Sequence, residues 1–98
     1  MNFTSTRLIA LDLPAMVAFY ELVTGCRAEW LGAQFAEIIT PAATLAIGSV
    51  ETVALFEPGS AEPCANRSAV LEFRVVDVTA DFALLKGKVS VINPPKLM

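Results

Sequence analysis

Around Arg7 apolar and polar positions alternate: Leu8 and Ala10 fall to one side, Ser5, Arg7 and Ile9 to the other. That two-residue period predicts a strand over residues 6–11. After Asp12 and Leu13 comes Pro14, whose missing N–H costs nothing in the first turn of a helix. Met16, Phe19, Tyr20 and Val23 then recur at i, i+3, i+4 and i+7, one stripe of an amphipathic helix, which is expected to face the core. Gly25 stands where a left-handed cap would end it. Beyond Arg27 the pattern shortens to strand-like runs over residues 28–31, 34–40 and 44–48, punctuated by Gly32 and by Pro41-Ala42-Ala43 at hairpin spacing. Residues 50–56 fit either a short helix capped at Ser49 or a further strand. Residues 57–68, rich in Pro, Gly, Ser and Ala, read as a connection.

The second half repeats the opening. Residues 69–76 alternate, with Leu71, Phe73 and Val75 on one face and Val70, Glu72 and Arg74 on the other. Asp77 leads into a short helix over residues 79–86, ending near Gly87, and residues 89–92 predict a following strand. Setting Asp12 against Asp77 pairs Leu13 with Val78, Phe19-Tyr20 with Leu84-Leu85 and Arg7 with Glu72, an internal repeat of a strand–Asp–helix–Gly unit.

Composition narrows the class. The 98 residues suit one domain, and 55% hydrophobic against 17% charged argues against disorder. A short chain this apolar is expected to cover part of its surface in a homodimer. The uncharged stretch over residues 38–50 is broken by Pro41 and falls short of the ~20 residues of a spanning helix. No signal peptide is visible, and Cys26 and Cys64 read as two reduced thiols, so a cytoplasmic location is expected. With a formal charge of −3 and no basic run, nucleic acid is not an expected partner. A mildly acidic surface suits a cationic small ligand, and it is equally an ordinary soluble surface.

The order strand, acidic cap, helix with Phe19-Tyr20, Gly25, three short strands, then the same again resembles the vicinal-oxygen-chelate superfamily of glyoxalases, bleomycin resistance proteins and extradiol dioxygenases. The stretches Arg7-Leu-Ile-Ala-Leu-Asp-Leu-Pro-Ala-Met-Val-Ala-Phe-Tyr and Asn66-Arg-Ser-Ala-Val-Leu-Glu-Phe-Arg-Val-Val-Asp-Val are similar to that superfamily's two module openings. The resemblance implies an α+β fold in which two βαβββ modules form a curved mixed sheet around a cavity. The whole chain would then be a single domain, with modules at about residues 1–56 and 69–98 and a linker at about 57–68. Two departures stand out. Metal-dependent members carry a histidine seven positions before each acidic cap; here those positions hold Ser5 and Val70, and the chain contains no histidine. The last strands of the second module have no counterpart, and truncation is the expectation, because an unpaired strand leaves an exposed sheet edge. No metal or cofactor is therefore expected.

If both openings face one cavity, alternation points Ser5, Arg7, Ile9, Val70, Glu72 and Arg74 into it. Arg7, Glu72 and Arg74 are then the polar ligand-binding candidates, since paired arginines grip a carboxylate or phosphate; the plainer alternative is that Glu72 bridges them in a structural ion pair. Glu37, between Ala36 and Ile38, is a candidate base or hydrogen-bond acceptor, against an outward-facing surface carboxylate. Trp30 and Phe35 are candidates to stack on a planar ligand and Phe56 to gate the cavity, although aromatics also fill small cores and dimer seams. Cys64 has no histidine or lysine beside it to activate it as a nucleophile. No Gly-rich phosphate loop, Ser/His/Asp set or CxxC is present.

Three functions follow in order. The first is a metal-independent module that binds a small amphipathic molecule, as the resemblance to bleomycin resistance proteins implies. The second is a metal-dependent lyase, isomerase or dioxygenase with an atypical site. The third is a degenerate structural subunit without a ligand. Whether the chain is an enzyme stays open at this point.

Overall fold

A computed structural model describes residues 1–91 and 95. The chain runs β1 (Ser5–Ala10), α1 (Leu13–Thr24), β2 (Glu29–Trp30), β3 (Phe35–Ile39), β4 (Thr44–Ser49), α2 (Val50–Ala54) and α3 (Val78–Leu85). The four strands form one open mixed sheet in the order β1-β4-β3-β2. β4 lies parallel to β1, with Leu8 beside Ile47, and antiparallel to β3, with Ala36 beside Ile47 on its other side. This is a small α+β fold, as the sequence predicts.

Helix α1 forms where the period changes from two to 3.6, and both its ends carry the anticipated caps. The Asp12 carboxylate accepts from the Ala15 N–H at 3.1 Å, Pro14 sits in the first turn, and Gly25 ends the helix at φ 69°. At that φ a Cβ would strain the backbone, which is why glycine suits the position. The repeat is real at the level of the cap: Asp77 accepts from the Ala80 N–H at 3.0 Å and starts α3 in the same way. Ser49 precedes α2 in extended conformation, so residues 50–54 take the helical alternative, although the Ser49 Oγ makes no capping bond.

The core lies between α1 and one face of the sheet. Leu13 and Val17 of α1 meet Ala10, Ala36, Ile38, Leu45 and Ile47, and both Ile38 and Ile47 are wholly buried. The face of α1 that is buried is therefore not the whole stripe that periodicity marks. Met16 and Tyr20 pack against the core, whereas Phe19 remains 42% exposed. Leu13 and Val17 share a face four residues apart, and the sheet selects that face.

Two turns hold the hairpins. Gly32 takes φ 114° between β2 and β3, where Leu31 N–H donates to the Phe35 carbonyl. Between β3 and β4, the Thr40 hydroxyl donates to the Ala43 carbonyl at 2.6 Å and accepts from the Ala43 N–H. The Glu21 carboxylate, on α1, accepts from the Ala28 N–H at 2.8 Å and thereby ties the helix to the entry of β2.

The second half departs from expectation. Residues 69–76 form no ladder, and Val70 and Val76 are exposed. Leu71 nevertheless packs against the core, and the Phe73 ring lies 6.5 Å from that of Tyr20. The reason is that alternation sets the faces of a strand but not its partner. A ladder needs a neighbour for its N–H and C=O groups, and none among the described residues supplies one. Val89, Ser90 and Val91 are likewise not a strand, and Ile92, the last residue of that expected strand, lies outside the described residues. Among the described residues no helix is long and apolar enough to cross a membrane.

Candidate functional site

The face of the sheet away from α1 carries Ser5, Arg7 and Ile9 from β1, Thr44, Ala46 and Gly48 from β4, and Phe35, Glu37 and Ile39 from β3. Pairing places Arg7, Ala46 and Glu37 in one line across three strands, and Glu29 of β2 lies beside Glu37. The middle strand is floored by two small residues, so long side chains from its neighbours can lean over it.

Arg7 does so. Its guanidinium carbon lies 4.7 Å from the centroid of the Phe35 ring and 5.8 Å from that of Phe56, which follows α2. An arginine over an aromatic face gains about 0.5–1 kcal/mol where exposed, enough to bias its rotamer without using its N–H donors. Gly48 makes this approach feasible. A Cβ there would sit 2.7 Å from Thr52 Oγ1 and 3.4 Å from Phe35 Cδ2. The absence of that atom lets α2 and Phe35 close over the strand. Thr52 donates to the Ser49 carbonyl at 2.7 Å, which keeps α2 wound against the sheet.

The remaining candidates separate from this group. Trp30 lies beside Ala36, whose side chain enters the core, so it belongs to the other face of the sheet and is 45% exposed. Glu72 and Arg74 are exposed on the unpaired stretch. Among the described residues no ion pair forms, so Glu72 does not bridge the arginines, and Arg7 has no carboxylate partner. The site thus gathers Arg7, Glu37, Phe35 and Phe56. Glu29 was missed in the sequence, although the β2–β3 hairpin register would have placed it next to Glu37.

A cleft of about 930 Å³ runs along the free edge of β1 between α1 and residues 61–73. Arg7 stands on its rim, and Met16, Phe19 and Tyr20 line its α1 wall. The phenol of Tyr20 is held above its usual value of 10.0 by burial. A second cleft of about 440 Å³ lies between the end of α1, Pro41 and α3, with Arg74 on its wall. In place of the expected cavity enclosed by two facing strands there is a sheet face partly covered by α2, beside a cleft along β1.

The residues do not fit the metal site implied by the resemblance. Ser5 and Val70 stand at the two histidine positions and both are exposed. Among the described residues no three His, Cys, Asp or Glu side chains cluster to hold an ion. Imidazole-favouring divalent ions have no imidazole ligand in this sequence.

The architecture defines a class: the chain has the fold of the glyoxalase, bleomycin resistance protein and dioxygenase structures. It is similar to a glyoxalase/bleomycin resistance protein/dioxygenase from Nocardioides, with a TM-score of 0.77 at 20% identity over 98% of this chain and 68% of that one. It is also similar to the bleomycin resistance determinant encoded on transposon Tn5 (TM-score 0.59, 17% identity, 97% and 72% of the two chains). A lactoylglutathione lyase from Agrobacterium tumefaciens matches at TM-score 0.60 and 21% identity, over 94% and 74%. No protein-family model and no curated protein sequence matches the chain.

Proposed function

We infer that the protein is a metal-independent module that binds a small amphipathic molecule beside the exposed head of Arg7, which anchors an anionic group. The observation that carries this reading is the Arg7 guanidinium held against Phe35 and Phe56 with no carboxylate partner among the described residues. A guanidinium fixed by ring contacts keeps its donor fork free, and that fork matches a carboxylate or phosphate. The exposed Phe56 and the half-buried Phe35 supply apolar area beside it. The names of the neighbours, a resistance determinant and a lyase, cover both binding and catalysis, and the donor set here favours binding.

The same reading makes residues 69–76 the opening segment of a second βαβββ-type module, with residues 57–68 as linker and a homodimer as the working assembly. Leu71 packs against the core and the Phe73 ring lies near that of Tyr20, while Arg74 lines the cleft at the end of α1.

The test joins metal analysis with ligand-dependent stability. Purified protein prepared without added metal should hold far less than one equivalent per chain, and a small aromatic carboxylate present at 100 times its Kd should raise stability by about 2.7 kcal/mol. Arg7→Gln should remove that gain and Glu72→Gln should not. One tightly held metal per chain, or stabilisation unchanged in Arg7→Gln, overturns the reading.

A further inference from the structure

We propose that the cleft along β1 is a docking groove for an extended peptide, which adds to the free edge of the strand by main-chain hydrogen bonds and carries an apolar side chain at every second residue. This goes beyond the binding reading above, since it uses the main chain of β1 and not the head of Arg7.

β1 is an outermost strand of the sheet. The Thr44 N–H donates to the Thr4 carbonyl, and the parallel register carries that phase along the strand, so the even-numbered residues of β1 bond to β4. The N–H and C=O groups of Ser5, Arg7 and Ile9 therefore point away from the sheet, and among the described residues no backbone group bonds to them. These pairs of donor and acceptor recur about every 6.6 Å, two strand residues apart, the repeat at which another extended main chain answers them. Arg7 and Ile9 line the cleft, so the row opens into it.

The walls select the occupant. With α1 on one side and residues 61–73 on the other, the cleft admits a single chain and not the broad face of a second subunit. Its volume of about 930 Å³ is of the size that takes small ligands. Residues 66–69 are engaged with one another: Asn66 Oδ1 accepts from the Ser68 and Ala69 N–H groups, and its Nδ2 donates to the Ala69 carbonyl. A strand added to β1 turns every second side chain toward α1, where Met16, Phe19 and Tyr20 line the cleft. The Phe19 and Tyr20 rings meet edge to face with centroids 5.0 Å apart, and the Phe73 ring stands 6.5 Å from Tyr20. Leucine or phenylalanine at those positions buries its side chain among these groups, while the main-chain bonds supply affinity whatever lies between.

The probe is acetyl-Thr-Leu-Thr-Phe-Thr-amide, which carries no charge and so leaves the anion reading of Arg7 out of the measurement. Titrated into the 98-residue chain, it should bind at millimolar concentration or below and slow the exchange of the Arg7 and Ile9 amides. In the free protein those two amides should exchange freely, while the Leu8 and Ala10 amides, bonded to β4, are protected. Two N-methylated forms of the peptide read the pairing: one methylated on the Leu and Phe nitrogens, the other on those of the last two threonines. Only one of these sets can face β1. One form should therefore bind at least about tenfold more weakly, the scale of lost main-chain hydrogen bonds, and the other should bind like the parent. If the Arg7 and Ile9 amides are already protected in the free protein, the chain's own residues or a second copy cover the edge and the inference is overturned. It is overturned as well if the peptide does not bind at millimolar concentration, or if the two methylated forms bind alike. None of these outcomes touches the anion reading, which the aromatic carboxylate and Arg7→Gln test separately.

Discussion

Gly48 is the position at which fold and site meet, and Gly48→Ala tests how. The added Cβ would stand 2.7 Å from Thr52 Oγ1, closer than side-chain atoms settle, and 3.4 Å from Phe35 Cδ2. Gly48 and Thr52 are both buried, and Thr52 is held by its bond to the Ser49 carbonyl, so it cannot simply swing out. Overpacking of a well-filled site costs about 1–3 kcal/mol. For a domain of this size each kcal/mol lowers Tm by about 4–8 °C. Thr52→Ala alone should cost about 1 kcal/mol, chiefly the lost hydrogen bond. The double variant should be no less stable than Gly48→Ala, because alanine at 52 has no Oγ1 to meet the new Cβ. Urea unfolding of the four proteins, followed by the fluorescence of Trp30, the single tryptophan, yields the coupling directly. A coupling of about 1–2 kcal/mol is expected. Additive losses, or a Gly48→Ala variant within about 0.5 kcal/mol of the parent, would refute the view that the glycine is there to admit α2 and Phe35.

The two equivalent caps should differ in reach. Asp12→Ala should cost about 0.5–2 kcal/mol of global stability, because α1 carries the core residues Leu13 and Val17. Asp77→Ala should loosen α3 with little change in the global midpoint, since no residue of α3 is buried; hydrogen exchange resolves the two cases. Glu21→Ala removes the acceptor of the buried Ala28 N–H and should cost about 1–3 kcal/mol by urea unfolding. Tyr20 is the single tyrosine, and burial raises its pKa above 10.0. Its protonated form is thus favoured by the folded state, so its stabilisation is complete below about 10 and is lost as pH rises through the raised folded value. The phenolate absorbance of the native protein should appear at higher pH than in urea, and Tyr20→Phe should flatten the alkaline loss of stability.

Much of the fold is legible in local pattern because caps and turns are local physics. Asp12, Pro14 and Gly25 bound α1 where expected, Gly32 and the stretch around Pro41 mark the hairpins, and the match of Asp12 with Asp77 reproduces the same cap at two helices. The resemblance in pattern to the glyoxalase-type proteins agrees with the fold that the solved structures share. The sequence also settles, through residue types alone, that no imidazole is available at Ser5 or Val70.

What only the tertiary structure decided are the matters of pairing and facing. Periodicity marks a stripe on α1, but the sheet buries Leu13 and Val17 and leaves Phe19 at a cleft. Residues 69–76 alternate as well as β1 does, yet β1 pairs with β4 and, among the described residues, 69–76 pairs with no strand. Trp30 and Phe35 look alike as stacking candidates, and the β2–β3 register sends them to opposite faces. The approach of Phe35 and Phe56 to Arg7 joins three separate segments across a glycine. Such contacts depend on which strand lies beside which, a choice made by the packing of the whole sheet against α1 and not written in any one stretch of the chain.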